Sequence, residues 1–424
     1  MKLELYDYQK SAVEFAMENP YSIIALEMGL GKSGILIAMK DRLPKERFLV
    51  VCPSYLMFNW KKEIEKFLDG QTITIFKRHK DVYFPVDSDF VITSYDIAIQ
   101  HDCLFEWATC VGFDEATAIK NMKAKRTEAI HRLIYENNIG RVYLMTGTPI
   151  KNRVQEFYSL IALCNYNPSA PDSKFLAKFT NEIDFADYFS NRVEYDKWMY
   201  DPRRGTQRPI RIVKWEGLKN EDELKKWLRG IYISKRSDMP PISYKEVFVD
   251  NFDDKELLSE FLKFKEGSSG ISPQIKVKAA LKKTPLTCKY VSGLLDEWET
   301  PIIIYTDHIE PCEAMAGHFN TKAITGKMPP KQRQEMADSF QKGDIPVLTA
   351  TYGAFSQGYT LTAANLIVEN DYPWEPGTLK QADFRINRKG QTRPCHVHRI
   401  LGSEQDEYIL KTILKKEEVL KAVY

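Results

Sequence analysis

The chain has 424 residues, of which 43% are hydrophobic and 28% are charged, and its formal net charge is +2. This length predicts two or three domains with substantial cores, whereas so small a net charge gives no general argument for nucleic-acid binding, which must rest on local patches. Seven cysteines without a Cys-x-x-Cys motif or a Cys/His cluster favour reduced thiols in the cytosol and argue against structural zinc. We find no signal peptide and no apolar run of the roughly 18 residues that a membrane span needs, and we expect no membrane association.

A glycine-rich loop is the first chemical signal along the chain, since residues 27–33 read Glu-Met-Gly-Leu-Gly-Lys-Ser. Gly29 and Gly31 allow backbone N–H groups to approach a polyphosphate closely. Lys32 supplies a cation for the β and γ oxygens, and Ser33 supplies a hydroxyl for Mg²⁺. The loop therefore predicts nucleotide binding.

The same loop has a second interpretation, an ordinary turn, because Leu26 occupies the place of the motif's first glycine. Its flanks favour the phosphate loop. Residues 22–26 have the pattern of a short buried strand, and residues 32–39 have that of a helix. Strand, loop and helix in this order are the geometry that the motif requires.

Short β-rich runs alternate with helical stretches in the first third of the chain, which predicts an α/β fold with a parallel sheet covered by helices on both faces. The predicted strands are residues 48–52, 72–76, 90–93, 110–113 and 142–145. Ligands of such sheets bind at the carboxyl ends of the strands. Asp114 and Glu115 follow one of these ends, where they can hold a metal ion and position a water molecule.

The composition changes near Asn165, and strand alternation is lost until about Pro241, which indicates an accessory insertion. The alternation then returns, but without a second phosphate loop. The strands predicted there are residues 302–306, 323–325, 347–350, 366–369 and 397–401. We expect an ATP-binding lobe over residues 1–164, the insertion over 165–244 and a second lobe over 245–424.

Three polar side chains in the second lobe, Gln381, Arg385 and Arg388, are spaced to share one face of a helix if that segment is helical. Two arginines so placed can stabilise charge that develops on a γ-phosphate. The alternative is a solvated basic helix face.

These motifs, in this order, resemble the helicase-like ATPases of superfamily 2, specifically the Swi/Snf type, over almost the whole chain. The matching segments are residues 6–9, 27–33, 51–54, 59–60, 114–117, 146–152 and 381–391. The resemblance implies two RecA-like parallel-sheet lobes with the accessory insertion between them. It also implies ATP and Mg²⁺ as cofactors and DNA as the polymer that is bound.

The resemblance further implies a role for each residue of the nucleotide site. Gln9 contacts the adenine edge, and Lys32 neutralises the β and γ oxygens. Ser33 and Asp114 hold Mg²⁺, while Glu115 orients and deprotonates the attacking water.

In the second lobe, the resemblance makes Gln381, Arg385 and Arg388 the final catalytic motif. Its arginines are implied to reach the transferring phosphoryl group when the lobes close.

Several positions depart from the family's pattern. Thr117 stands in place of a histidine, and Phe384 and Asn387 stand where Asp and His are common. Phe355 and Ser356 replace a pair of glycines. These departures affect details of coupling between the lobes rather than ATP hydrolysis.

Contacts with DNA are implied at loops whose hydroxyls and amides suit phosphate oxygens, which gives binding without sequence specificity. The residues concerned are Ser54, Thr93, Ser94, Tyr95, Thr351 and Gly358, with residues 306–308. A basic segment around Gly205 adds Arg203, Arg204, Arg208 and Arg211. Its pattern suggests a hairpin able to enter a DNA junction, and the alternative is a solvated charged surface.

Residues 215–220 and 223–224 resemble the annealing-helicase, fork-remodelling subgroup, and the compact chain resembles phage or bacterial branch-migration helicases. The resemblance implies an ATP-dependent translocase on duplex, forked or four-way DNA. We expect a monomer in the cytosol of a bacterium or a phage-infected host. One alternative is a conventional helicase that unwinds DNA or RNA. Another is an ATP-gated DNA clamp or scaffold, against which the intact catalytic residues argue.

Overall fold

The structure is a computed structural model of the chain. It describes residues 4–27, 29–77, 87–147, 153–166, 173–201, 206–236, 239–249, 257, 259, 261–262, 273–355, 359–388 and 390–421. The contacts within it divide the chain into two compact units. The first unit comprises Met1–Asn191, Trp215–Ser237 and Val419–Tyr424, and the second comprises Arg192–Lys214 and Asp238–Glu418. The three domains expected from the sequence, with their two boundaries, remain a prediction.

The strands up to residue 237 are β1 (Tyr21–Leu26), β2 (Phe48–Cys52), β3 (Ile73–Phe76), β4 (Phe90–Ser94), β5 (Cys110–Asp114), β6 (Arg141–Met145), β7 (Asn191–Asp201), β8 (Thr206–Glu216) and β9 (Tyr232–Lys235). The helices are α1 (Asp7–Glu18), α2 (Lys32–Arg42), α3 (Met57–Phe67), α4 (Tyr95–Ala98), α5 (Cys103–Trp107), α6 (Lys125–Glu136), α7 (Phe157–Asn165), α8 (Lys174–Lys178), α9 (Glu182–Phe189) and α10 (Glu221–Leu228). Short 3₁₀ turns span Ser54–Leu56, Ala116–Ile119 and Val154–Glu156.

The sheet of the first unit has the strand order β3-β4-β2-β5-β6-β1-β9, and its neighbouring strands are parallel. Parallel pairing brings the carboxyl ends of the strands to one edge. Asp114 of β5 pairs with Met145 of β6, which in turn pairs with Ile24 of β1. The predicted parallel sheet is confirmed, and the strand that ends in Asp114 lies two positions from the strand that leads into the glycine-rich loop.

Helices cover both faces of this sheet, because its strands are apolar on both sides. In β5, Val111 and Phe113 enter one core, and Cys110 enters another. Trp60 and Ile64 of α3 belong to the core that contains Cys110. Two separate cores around one sheet are the layered arrangement that the alternating sequence predicts.

A glycine sets the closest approach between this sheet and α2. A Cβ atom on Gly112 of β5 would lie 2.4 Å from Cδ2 of Leu36. Leu36 belongs to the helix that begins at Lys32, and Gly112 precedes Asp114 by two residues. Helix and strand are therefore in direct contact between these two residues.

Two elements join the framework in ways that periodicity does not predict. β9 pairs with β1 in parallel and extends the sheet of the first unit, with Ile23 opposite Tyr232. β7 and β8 form a separate two-stranded sheet at the position of the predicted hairpin. Gly205, at its centre, lies outside the described residues.

The second unit contains a parallel sheet in the order β10-β14-β13-β11-β12. Its strands are β10 (Ser243–Phe248), β11 (Ile302–Thr306), β12 (Val347–Thr351), β13 (Leu366–Glu369) and β14 (His396–Leu401). Its helices include α11 (Pro273–Leu295), α12 (Ile309–His318), α13 (Pro330–Lys342), α14 (Tyr352–Phe355), α15 (Pro376–Asp383) and α16 (Glu404–Lys421). The predicted α/β fold class with two parallel-sheet lobes is confirmed.

One predicted strand of the second unit, residues 323–325, is wrong. Ile324 forms an isolated parallel bridge with Ala350. Its N–H donates to the oxygen of Thr349, and its oxygen accepts from the N–H of Thr351. A bridge at one residue joins the segment to β12 without making it a strand.

Candidate nucleotide-binding site

The glycine-rich loop has the geometry that the sequence predicts, since β1 ends at Leu26 and α2 begins at Lys32. Gly29 and Gly31 have φ angles of 83° and 65°. These values lie in the left-handed region, which glycine adopts without a steric penalty. The flanking strand and helix that favour a phosphate loop over an ordinary turn are therefore present, and nucleotide binding by the loop remains a prediction.

Gln9 supports this loop from α1. Its Nε2 donates to the oxygens of Leu30 and Gly31, each at 3.2 Å, and its Oε1 accepts from the N–H of Tyr6 at 3.0 Å. A Cβ atom on Gly31 would lie only 2.6 Å from this Nε2. The side chain of Gln9 thus holds the loop backbone, and its contact with adenine remains a prediction.

Lys32 and Ser33 occupy the first turn of α2, where the backbone N–H groups of a helix are free to bind an anion. Both residues are half-buried. The Nζ of Lys32 donates to the oxygen of Leu26 at 3.1 Å. The amine is therefore held at the end of β1, beside the loop.

Asp114 receives hydrogen bonds from three directions. Its Oδ2 accepts from Nε1 of Trp60 at 2.8 Å, and its Oδ1 accepts from the N–H of Glu115 at 2.9 Å. Its main-chain oxygen accepts from the hydroxyl of Tyr95 at 2.8 Å. Burial and the charge of Glu115 raise the pKa of Asp114 to about 6, although Lys32 acts to lower it. The charge of Lys32 therefore favours the ionised form of Asp114.

Glu115 is the strained residue of the site, with a φ of 52° that a residue other than glycine rarely adopts. Its Oε2 is buried and has no hydrogen-bond partner among the described residues. A buried carboxylate oxygen without a donor is costly. Strain together with an unpaired acceptor indicates a functional residue and fits a carboxylate that receives a proton from water.

These residues fit a nucleotide with its divalent cation. The glycines and the amine of Lys32 suit the phosphates, while the hydroxyl of Ser33 and the carboxylate of Asp114 are the oxygen ligands that Mg²⁺ prefers. When bound, the cation would neutralise charge on the phosphate oxygens. The roles of the individual residues remain predictions.

The final motif of the second unit differs from its prediction, because Gln381 lies in α15 but the helix ends at Asp383. The N–H of Arg385 donates to the oxygen of Ala382, three residues back, and this tighter turn takes the chain out of the α-helical pattern. The expectation that Gln381, Arg385 and Arg388 share one face of a helix is therefore wrong.

The two arginines are held differently. Arg385 is 2% exposed, and its Nη1 donates to the oxygen of Tyr359 at 3.0 Å. Arg388 is half-buried. Its Nε donates to the oxygen of Phe384 at 3.0 Å, and its Nη1 donates to Oγ1 of Thr360 at 3.2 Å. Arg388 is accordingly the more accessible of the two guanidinium groups.

The predicted DNA-contacting residues of the first unit are mostly interior. Ser54 is exposed on a 3₁₀ turn, whereas Thr93 is fully buried and donates its hydroxyl to the oxygen of Phe76 at 3.0 Å. Ser94 and Tyr95 are 7% and 3% exposed. The hydroxyls of Thr93 and Tyr95 are used within the unit, and DNA binding at these four positions remains a prediction.

In the second unit, the loops predicted to contact DNA are only partly buried where they are described, since Asp307 and His308 are half-buried and Gly353 is exposed. Thr351 is 7% exposed. Thr306 donates its hydroxyl to Oδ1 of Asp371, and the N–H of Asp307 donates to Oδ2 of the same side chain at 3.1 Å. Gly358 lies outside the described residues.

The basic hairpin is described only in part. Arg203 and Arg204 lie outside the described residues, and the side chain of Arg208 is not described. Arg211 is exposed, and its Nε lies 3.4 Å from Oε2 of Glu194 on the facing strand. Residues 191–216 contain seven basic and four acidic residues, so the net positive charge per residue is lower for the whole hairpin than for β8 alone.

Sequence reasoning missed the bonds from Trp60 and Tyr95 to Asp114. Trp60 lies 54 residues before its acceptor, and Tyr95 lies 19 residues before it. Local periodicity predicts burial of both rings but contains no signal for partners on another strand. The order of the strands in a parallel sheet is the signal that could have placed them near β5.

Two parallel α/β units, one with a phosphate loop and a carboxylate pair at the same edge of its sheet, define a helicase-like ATPase. The SNF2-related domain model matches residues 8–231, and the helicase conserved C-terminal domain model matches residues 283–390. The first match covers more than half of the chain. The chain therefore belongs to the SNF2-related family, as its sequence motifs predict.

Similar curated proteins come from several organisms. The Drosophila melanogaster SWI/SNF-related matrix-associated actin-dependent regulator of chromatin subfamily A-like protein 1 is 27% identical over 99% of this chain and 56% of its own length. The Mus musculus DNA annealing helicase and endonuclease ZRANB3 is 24% identical over 98% of this chain and 40% of its own length. The Bacillus subtilis putative ATP-dependent helicase/translocase YwqA is 23% identical over 98% and 48%. The chain thus spans about half the length of the curated relatives that it matches.

A solved structure, the Sulfolobus solfataricus SWI2/SNF2 ATPase core in complex with dsDNA, is similar to this chain, and the match covers 100% of this chain and 94% of that chain. The sequence identity is 22% and the TM-score is 0.45. A score this low does not by itself establish a shared overall structure. Among the described residues, none of the helices combines the length and the apolar composition that crossing a membrane requires.

Proposed function

We propose that the protein is an ATP-dependent translocase that acts on double-stranded or branched DNA, in branch migration or fork remodelling. The observation that carries the proposal is the pairing of the phosphate loop with a strained Glu115, whose buried Oε2 has no hydrogen-bond partner among the described residues. A binding scaffold does not need such a residue, because an unpaired buried carboxylate destabilises the fold. Hydrolysis does need it.

In the proposed reaction, Lys32 binds the β and γ oxygens of ATP, and Ser33 and Asp114 hold Mg²⁺. Glu115 accepts a proton from the attacking water at Oε2. Arg388 stabilises the charge that develops on the γ-phosphate. Arg385, in the interior of the second unit, helps to hold the segment that carries Arg388.

Support for DNA as the polymer comes from the family and from the names of the relatives, which include an annealing helicase and a helicase/translocase. Exposed Ser54 and Arg211 provide a hydroxyl and a cation for phosphate oxygens. Such contacts hold a backbone without reading bases, so we propose binding without sequence specificity.

The test is ATP hydrolysis measured with single-stranded, duplex, forked and four-way DNA and with RNA, at one salt concentration. We expect stimulation by duplex and branched DNA above the others, with Lys32→Ala inactive throughout. Highest stimulation by RNA or by single strands would favour a conventional helicase. ATP binding without hydrolysis in the presence of any polymer would favour an ATP-gated clamp.

A further inference from the structure

We infer that Trp60 and Tyr95 are positioning residues that transmit DNA contact at two loops of the first unit to the carboxylates Asp114 and Glu115. This inference rests on the proposed function, because it assigns a route by which DNA stimulates hydrolysis. It concerns side chains of the first unit alone.

Trp60 connects Asp114 to the turn that carries Ser54. The turn Ser54–Leu56 runs directly into α3, and Trp60 occupies the first turn of that helix. The indole is 2% exposed, and its Nε1 donates to Oδ2 of Asp114 at 2.8 Å. The buried ring of Trp60 is therefore bonded to the carboxylate of Asp114 and lies only six residues after the exposed hydroxyl of Ser54.

Tyr95 connects the same strand end to a second loop. It is the first residue of α4 and follows Ser94 directly. The ring is 3% exposed, stacks on Phe113 with centroids 6.1 Å apart, and donates its hydroxyl to the oxygen of Asp114 at 2.8 Å. This bond fixes the peptide that joins Asp114 to Glu115.

The two bonds constrain different parts of the site. The indole N–H orients the carboxylate of Asp114, because a hydrogen bond to a charged acceptor is strong and directional. The hydroxyl of Tyr95 holds the backbone just before the left-handed Glu115, whose φ of 52° depends on support from its surroundings. A shift of either loop on a DNA backbone therefore changes the metal ligand or the residue that activates water.

The test uses Trp60→Phe, which replaces the indole with a smaller aromatic ring, and Tyr95→Phe, which keeps its ring; the two substitutions remove the two donors. Trp227→Phe is the matched tryptophan control, since its Nε1 is buried without a hydrogen-bond partner among the described residues. Tyr158→Phe is the matched tyrosine control, because it loses a buried bond of the same kind, from the hydroxyl to the oxygen of Phe179 at 3.1 Å. Four quantities are measured: ATP hydrolysis with and without duplex DNA, DNA affinity, thermal midpoint, and the Mg²⁺ concentration for half-maximal binding of a fluorescent ATP analogue.

We expect the ratio of DNA-stimulated to basal hydrolysis to fall about tenfold in Trp60→Phe and several-fold in Tyr95→Phe, the scale of one charge-assisted and one neutral hydrogen bond. DNA affinity is expected to stay within about twofold, because both rings are buried and the substitutions leave the exposed groups of the two loops unchanged. The Mg²⁺ midpoint is expected to rise in Trp60→Phe and to stay constant in both controls.

Wild-type stimulation ratios in both variants would overturn the inference, as would equal losses in the matched controls. If Trp60→Phe lowers the thermal midpoint far more than Trp227→Phe does, Tyr95→Phe decides the matter. A wild-type enzyme that DNA does not stimulate contradicts the proposed function instead. The experiment therefore distinguishes failure of the proposed function from failure of the positioning role.

Discussion

At the scale of single residues, Glu115 and Lys32 are expected to fail in different ways. Glu115→Gln should retain ATP binding and lower hydrolysis by about 10²-fold to 10⁴-fold, because it removes a proton acceptor and leaves Asp114 in place. Lys32→Ala should lose nucleotide binding as well, since it deletes the positive charge that is proposed to contact the phosphates. Binding of a fluorescent ATP analogue and phosphate release measure the two effects. Glu128→Gln on the exposed side of α6 is the control, and wild-type turnover by Glu115→Gln would contradict the assignment.

The different burial of the two arginines predicts different consequences of their removal. Arg388→Ala should lower kcat by about 10³-fold with little change in ATP affinity, as expected for a group that meets the transition state. Arg385→Ala should instead destabilise the second unit by about 1–3 kcal/mol, because it removes a buried side chain and leaves the half-buried carbonyl of Tyr359 without this donor.

Steady-state kinetics and urea denaturation distinguish these outcomes. Arg393→Ala is the matched control, since this exposed arginine also donates to a main-chain oxygen, that of Ala363, at 2.9 Å. Normal kcat with strongly weakened ATP binding in Arg388→Ala would point to a role in the ground state.

Asp383 gives the second unit a pH dependence. The carboxyl accepts from the hydroxyl of Tyr244 at 3.0 Å, and burial followed by the charge of Glu369 raises the pKa of Asp383 well above its usual value. The folded state therefore favours the protonated form. Its contribution to stability is complete below the unfolded pKa of about 4 and is lost as the pH rises toward the folded pKa.

We expect Asp383→Asn to gain stability relative to the wild type as the pH increases from about 4 to 8, because the amide cannot ionise. Urea midpoints at several pH values measure the difference. Asp338→Asn on the exposed face of α13 should show a constant difference. A constant difference for Asp383→Asn as well would show that the carboxyl is ionised in the folded protein.

At the scale of elements, the hairpin of β7 and β8 carries the basic residues that are predicted to bind DNA junctions. Replacing Arg203, Arg204, Arg208 and Arg211 with glutamine should preserve basal hydrolysis, because these charges are proposed to contact DNA and are not part of the nucleotide site. Affinity for a four-way junction should fall, and the slope of log affinity against log salt should decrease by up to about four phosphate contacts. Binding titrations at several salt concentrations provide the measurement.

Glu194 supplies the opposite change. It lies 2.7 Å from Arg192 and 3.4 Å from Arg211, so Glu194→Gln removes an acid from between two arginines. Junction affinity should then increase. An unchanged salt slope in the arginine variant, together with unchanged affinity in Glu194→Gln, would make the hairpin a solvated charged surface.

The central strands of both sheets were predictable, because buried parallel strands are short continuous apolar runs, as in β2 and β11. β10 escaped prediction because it is an edge strand with exposed Tyr244 and Phe248 in a polar sequence. The end of α15 also escaped, since a spacing of i, i+4 and i+7 does not reveal a tight turn after Asp383.

The phosphate loop and the carboxylates of the candidate site were predictable because their chemistry is confined to a few adjacent residues. The hydrogen bonds that organise them were not. Trp60 and Gln9 meet their partners across 54 and 21 or 22 residues of sequence, respectively, and such pairs depend on the order of strands and helices. A sequence pattern that repeats every two or 3.6 residues contains no information about that order.

At the scale of the whole molecule, we predict that the protein migrates branches but separates plain duplexes poorly. Separation must offset stacking of roughly 1.4 kcal/mol per base-pair step, whereas at a junction each pair broken is matched by one formed. The measurement compares a mobile four-way junction with a tailed duplex of equal length under the same ATP concentration. Efficient unwinding of the duplex without activity on the junction would favour the conventional-helicase alternative.

The close contact between Gly112 and Leu36 makes the spacing of the nucleotide site depend on a missing methyl group. Leu36 lies one helical turn after Lys32, whose amine is proposed to bind the phosphates, and Gly112 lies two residues before Asp114, the proposed metal ligand. A Cβ atom at position 112 would lie 2.4 Å from Cδ2 of Leu36, so the side chain of Leu36 or the helix that carries it would have to shift. A residue larger than glycine at position 112 would therefore disturb the packing between the helix that begins at Lys32 and the strand that ends at Asp114.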